Sequence, residues 1–195
     1  MRLSTILVIL FILSLGCNPK IADKTIVADK SQIDSSSKDV LPFPESWVGI
    51  WTGVLHIWKG NEIAQSIPMK TRIGLTDKKD EYHWVTTFGD KAETEKPYLL
   101  KVIDSKKGHY VIDEQNSIII ESYLFDNKLV SLYSVMGNMI QATFEKRGEE
   151  LIFEILAGKE EPISITGGTK VGEEEIPKVK TLPFNVMQRA VLTKE

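Results

Sequence analysis

With 195 residues, 42% hydrophobic and 26% charged, the chain can bury one domain core and is too ordinary in composition to be a disordered tail. A net charge of −3 with no concentrated basic face excludes the usual nucleic-acid binder, so no nucleic-acid partner is expected. A single cysteine excludes an internal disulfide.

The first residues read as an address. Met1-Arg2 supplies a positive start, and Leu3 to Leu15 is an uncharged run dominated by Leu and Ile. That run suits a secretory signal and is shorter than the roughly 20 apolar residues of a membrane span. It ends at Ser14-Leu15-Gly16-Cys17, which resembles the lipobox of bacterial lipoproteins, with Ser14 and Leu15 in swapped order. The resemblance implies removal of residues 1–16 and acylation of Cys17. Membrane lipid is then a partner through acylated Cys17, and the protein is expected in the bacterial cell envelope, on the periplasmic or outer-membrane face. Two or more acyl chains anchor stably where one does not.

Residues 17–44 form the lipidated Cys17 and a tether. The stretch is rich in Lys, Asp and Ser and too poor in apolar side chains to offset its own ordering entropy. As a flexible coil it spans roughly 30 Å. Pro42 and Pro44 mark the entrance to a domain over 45–195.

From Trp47 onward the period is two. Ile67, Met69, Thr71 and Ile73 alternate with Pro68, Lys70 and Arg72; Tyr82, Trp84, Thr86 and Phe88 alternate with His83, Val85 and Thr87. The same alternation continues through Tyr98, Leu100 and Val102, through Ile140, Ala142 and Phe144, and through Leu151, Phe153 and Ile155. Half-buried strands follow near 48–58, 66–76, 82–89, 97–104, 108–113, 117–125, 128–136, 139–146, 150–157 and 183–193. Short polar turns separate them, Asp126-Asn127 and Gly137-Asn138 among them. One-turn helices have room near 42–47 and 91–96. The stretch 158–180 reads as a loop with a possible short strand at 162–166. The fold class is all-β: an antiparallel up-and-down meander of about 8–10 strands that closes into a barrel, because closure removes the exposed edges.

Gly49-Ile50-Trp51-Thr52-Gly53 resembles the G-x-W motif on the first strand of lipocalins and other calycins. The resemblance implies a calycin-like barrel closed at one end by Trp51, with Arg189 of the last strand over its ring and Gly49 permitting close approach. Gly49, Trp51 and Arg189 are then structural residues.

For chemistry, the sequence offers little. His56, His83 and His109 fall on the outward parity and in no paired spacing, so no metal site is expected and no cofactor is assigned; haem would need an inward axial ligand. Asp113 and Glu114 are neighbours on a strand and point to opposite faces, which suits a turn better than an acid–base pair. Thr166-Gly167-Gly168-Thr169 reads as a flexible turn or a small anion nest. The inward set is richer: Tyr82, Trp84, Phe88, Tyr98, Tyr110 and Tyr133, joined by Thr71, Thr86, Ser131 and Gln188. Apolar walls with a few polar groups describe a small-molecule site, and equally a packed core whose hydroxyls bond to one another. The expected function is therefore non-enzymatic: a membrane-anchored barrel that binds a small apolar ligand or serves the cell envelope. The alternatives are an envelope interaction protein with a packed core, a haem-binding barrel, or an unrecognised enzyme.

Overall fold

The computed structural model describes residues 42–90 and 94–195. The expected signal segment, Cys17 and the expected tether up to residue 41 lie outside the described residues, as do positions 91–93 of the short helix expected near 91–96. Pro42 leads into a single 3-10 turn, Glu45–Trp47. The barrel strands then follow in order: β1 (Gly49–Lys59), β2 (Glu62–Leu75), β3 (Glu81–Phe88), β4 (Glu95–Asp104), β5 (His109–Asp113), β6 (Ile119–Phe125), β7 (Lys128–Val135), β8 (Asn138–Arg147) and β9 (Glu150–Lys159). Four short strands come next, β10 (Ser164–Thr166), β11 (Lys170–Val171), β12 (Glu174–Glu175) and β13 (Val179–Thr181), before the long β14 (Val186–Lys194).

Ten of these strands close an antiparallel barrel in the ring order β1-β14-β9-β8-β7-β6-β5-β4-β3-β2. Every step but two joins strands adjacent in sequence, and both of those involve β14. That strand slots between β1 and β9 and leaves no edge open. Two-residue hairpins set the register where they occur. At Met136-Gly137 both central residues have positive φ, 51° and 72°, the handedness that matches strand twist. This turn sits one residue earlier than Gly137-Asn138, because Asn138 pairs with Val135 and its Nδ2 donates to the carbonyls of Val135 and Met136.

The two barrel ends differ. At one end the 3-10 turn folds under the strands as a plug. Trp47 is buried, its carbonyl accepts the Trp51 Nε1 hydrogen at 2.9 Å, and the Tyr82 hydroxyl donates to Glu45. Phe43 packs edge-on against Trp47 and Tyr110, at centroid separations of 4.7 and 4.9 Å. The other end, where β1 finishes and β14 begins, is the mouth. From it projects an arm over residues 160–185. Within the arm β10 pairs with β13 and β11 with β12, and all of these strand residues are exposed. The expected loop over 158–180 is thus a hairpin. The Gly168 N–H donates to the Ile176 carbonyl at 2.9 Å, so that amide holds the hairpin together rather than an anion.

A ten-stranded barrel encloses more width than a single layer of side chains fills. Here aromatic rings cross it. Trp84 of β3 meets Phe144 of β8 edge-on at 5.1 Å, and these strands lie five places apart around the ring, on opposite walls. Phe144 continues to Phe153 at 4.9 Å, and Phe153 to Phe88 at 6.2 Å. Around both walls the inward residues away from the mouth, Trp51, Leu55, Ile73, Leu100, Tyr110, Leu129 and Leu192 among them, are fully buried. Those nearer the mouth, Ile57, Ile67, Phe88, Tyr98, Ile112 and Tyr133, keep part of their surface accessible.

Candidate functional site

The inward set predicted from alternation separates into three groups. Thr71 and Thr86 form a buried pair with hydroxyls 3.4 Å apart across β2 and β3. Tyr82, Trp84 and Tyr110 belong to the plugged end: Tyr82 ties the wall to Glu45, and Trp84 and Tyr110 back onto Phe43 and Trp47. Burial, followed by the hydrogen bond to Glu45, pushes the Tyr82 phenol up to about 12. These residues hold the bottom shut.

Phe88, Tyr98, Ser131, Tyr133 and Gln188 make the third group, towards the mouth. Tyr98 lies on β4 opposite Trp84, and Tyr133 on β7 opposite Ile140. Glu114 joins them. It follows Asp113 at the end of β5, where the parity of Tyr110 and Ile112 turns it inward, while Asp113 turns outward to Lys101 Nζ at 2.6 Å. The Asn116 amide donates to the Glu114 carboxylate at 3.2 Å. Burial raises both phenols, with the Glu114 charge adding to it; Tyr133 reaches about 12 and Tyr98 also rises. Among the described residues, no lysine, arginine or histidine lies within ion-pair distance of Glu114.

Two further buried polar features lie inside the barrel. Ser122 and Ser131 share a hydrogen bond of 2.7 Å across β6 and β7. Gln188 points inward from β14 between Ile57 and Ile155, is fully buried, and has no hydrogen-bond partner for either amide atom.

The expected stacking of Arg189 on Trp51 does not occur. The β1–β14 register sets Trp51 opposite Lys194 and Arg189 opposite His56, five residues further along the strand. Arg189 points outward, with its Nε 3.7 Å from Glu154. Lys194 takes the place over the indole, its Nζ 5.4 Å from the ring centroid. Gly49 makes room for it: with φ at 148°, a Cβ there would stand 2.3 Å from Lys194 Cε. The cation was assigned to the wrong residue because alternation does not say how far the last strand runs before it closes on the first.

The three histidines lie on the outer face. His56 bonds to Ser66 at 2.8 Å, His109 stacks on Tyr123 beside Glu121, and His83 is exposed. None turns an imidazole into the lumen, so none offers an axial ligand there. No group of three or more His, Cys, Asp or Glu stands close enough to hold a metal among the described residues.

Two hollows lie outside the lumen. One, of about 410 Å³, is lined by Thr52, Lys70, Thr87 and Glu95 on the outer face of β1 to β4. The other, of about 400 Å³, sits at the base of the arm among Trp58, Leu156, Phe184 and Met187. The residues missed by sequence reasoning were Glu114, Ser122, Trp47 and Glu45. Glu114 was recoverable, since it continues the inward parity of Tyr110 and Ile112; the plug residues carry no periodic signal.

The fold and site define a class, a closed antiparallel meander barrel with one plugged end and one polar mouth. The chain matches no family model and no curated protein.

Proposed function

We propose that this is a calycin-like barrel, lipid-anchored through Cys17 to a membrane of the bacterial cell envelope, that binds a small apolar ligand without performing chemistry on it. The observation that carries the reading is the asymmetry of the interior. The inward residues nearest the plug, Trp51, Ile73, Leu100 and Tyr110 among them, are closed off, whereas those nearest the mouth, Ile57, Ile67, Phe88, Tyr98, Ile112 and Tyr133, are half-buried apolar and tyrosine side chains. Apolar walls with a few convergent polar groups are the usual make-up of a small-molecule site. The sequence that precedes the barrel supports the anchoring, since Leu3 to Leu15 and Gly16-Cys17 resemble a lipoprotein signal.

The test is titration of the delipidated protein with N-phenyl-1-naphthylamine, a neutral apolar fluorophore, with excitation through the tryptophans. Saturable one-to-one binding, abolished by filling the lumen with Ala142→Phe, supports the reading. Absence of saturable binding, or binding indifferent to Ala142→Phe, overturns it. Radiolabelled palmitate incorporation, lost in Cys17→Ala, tests the anchor separately.

A second reading draws on the arm. Ile163, Ile165 and Phe184 are exposed at 69%, 59% and 47%, an unusual amount of apolar surface for a free hairpin. An envelope interaction protein that works through this arm is the alternative. Crosslinking at arm positions in intact envelopes, without ligand binding, would favour it.

A further inference from the structure

We infer that the plugged end of the barrel rests on the membrane surface, with Leu75, Ile103 and Phe125 seated among the lipid headgroups and the mouth turned away. The inference rests on the anchoring reading above and adds which face of the barrel the lipid covers.

The argument begins with three side chains that have no core to join. β2, β4 and β6 all run towards the plugged end, and Leu75, Ile103 and Phe125 stand at or next to their last residues. Their exposures are 67%, 55% and 66%. They lie along one arc of the rim, since β2 to β6 are consecutive in the ring. Large apolar side chains grouped within a polar rim mark contact with a second surface.

The point of chain entry names that surface. Phe43 packs on Trp84 of β3 and Tyr110 of β5, at centroid separations of 6.4 and 4.9 Å. The chain that leads back from Pro42 to Cys17 therefore joins the barrel beneath the same arc. Apolar exposure alone does not choose this end, because Met136 and Ile118 at the mouth are exposed at 78% and 45%. A lipid held through Cys17 meets the plugged end first, and the mouth lies a strand's length further off.

The charges of the arc suit headgroups that bring both signs. The turns over 76–81, 104–107 and 126–128 carry Lys78, Lys79, Lys106, Lys107 and Lys128, with as many acids. Asp80, Glu81 and Asp104 each pair with a lysine of their own turn. With the charges balanced, the attraction comes from apolar area buried at the level of the headgroups.

The test uses the acylated full chain in vesicles of phosphatidylethanolamine and phosphatidylglycerol. Cys17 is the only cysteine, so once it is acylated an introduced cysteine is the single free thiol. Asn127→Cys, in the turn after β6, and Met136→Cys, at the mouth, are both exposed and each takes an NBD fluorophore. The label at 127 is expected to lose most of its iodide quenching on reconstitution and to be quenched by nitroxide-bearing lipid. The label at 136 should keep its iodide access. Adding Leu75→Ser and Phe125→Ser to the Asn127→Cys chain should restore iodide access at 127 while the protein still floats with the vesicles. Thermal melts of each variant establish that it is folded.

If both labels stay open to iodide, or the label at 136 is the shielded one, the orientation is overturned and the anchoring reading stands. Shielding at 127 that survives Leu75→Ser with Phe125→Ser overturns the role of those side chains. Shielding that vanishes at high salt assigns the contact to the lysines and overturns the apolar seating. If Cys17 takes up no palmitate, the anchoring reading and the inference fall together.

Discussion

Replacing Gln188 with methionine should make the protein more stable, against the usual run of core substitutions. Gln188 is fully buried between Ile57 and Ile155, and neither its amide oxygen nor its nitrogen has a hydrogen-bond partner. Mutational data place the cost of burying such a group at about 1–3 kcal/mol. Methionine has nearly the same volume and shape and carries no strong donor or acceptor, so the packing term should stay close to zero. The expected gain is therefore about 1–3 kcal/mol. In a domain of this size that corresponds to a rise of about 3–9 °C in Tm. Urea denaturation followed by tryptophan fluorescence would measure it, with an unchanged m-value certifying that the denatured state is the same. A loss of about 1 kcal/mol or more would refute the reasoning. It would mean that the amide is satisfied in solution by ordered water or by a bound molecule. Adding a lumen ligand would then separate those cases: a bound partner for Gln188 should raise the stability of wild type more than that of Gln188→Met.

Other outcomes follow from the same geometry. Phe144→Ala removes the ring that joins Trp84 to Phe153 across the lumen and should cost about 3–5 kcal/mol by urea denaturation; a cost below about 1 kcal/mol would show that the rings do not bridge the walls. Lys194→Ala should lower stability by about 0.5–1 kcal/mol through lost contact with the Trp51 ring, while Arg189→Ala on the outer face should change it by less than about 0.5 kcal/mol. The reverse order in matched melts would restore Arg189 to the indole. Glu145 accepts from Arg147 and from Lys128, and these contacts hold its carboxyl down at about 2 from the usual 4.5. Its ionised form is favoured by folding, so the contribution is present above pH 4.5 and is lost as pH falls towards 2. Urea midpoints across that window should fall more steeply for wild type than for Glu145→Gln.

The barrel was legible because a strand has one dominant signal. Side chains alternate, so the residues that must leave water name the inner face by themselves. Tyr82, Trp84 and Thr86 on β3, and Ile140 and Ala142 on β8, fell inward on that ground alone. What alternation does not encode is where one wall meets another. The closure of β14 on β1 depends on how far the last strand runs. The strand runs one residue beyond the expected 193, and its register on β1 places Lys194 rather than Arg189 over Trp51. The plug was illegible for a related reason: Phe43 and Trp47 lie in a single turn, too short for any period, and their burial comes from tertiary contact with Trp84 and Tyr110. The arm hid in a stretch of exposed residues with no inward face to mark it.

Glu114 shows how the site itself stood between these cases. Its parity was readable, yet its position next to Asp113 and just before Gln115-Asn116 argued for a turn, and it does stand at one. Both statements hold because the turn lies at the barrel mouth, where the last inward residue of β5 is also the first residue of the connection. A polar residue deeper on that parity would cost the core its packing, and one further along would face water. A strand end at the mouth is therefore a place where this fold can hold a carboxylate against both the lumen and solvent. Rings from β3, β8 and β9 cross the barrel, and the inward side chains that stay half-buried, Tyr98, Ile112 and Tyr133 among them, are those on the same mouth side as that strand end.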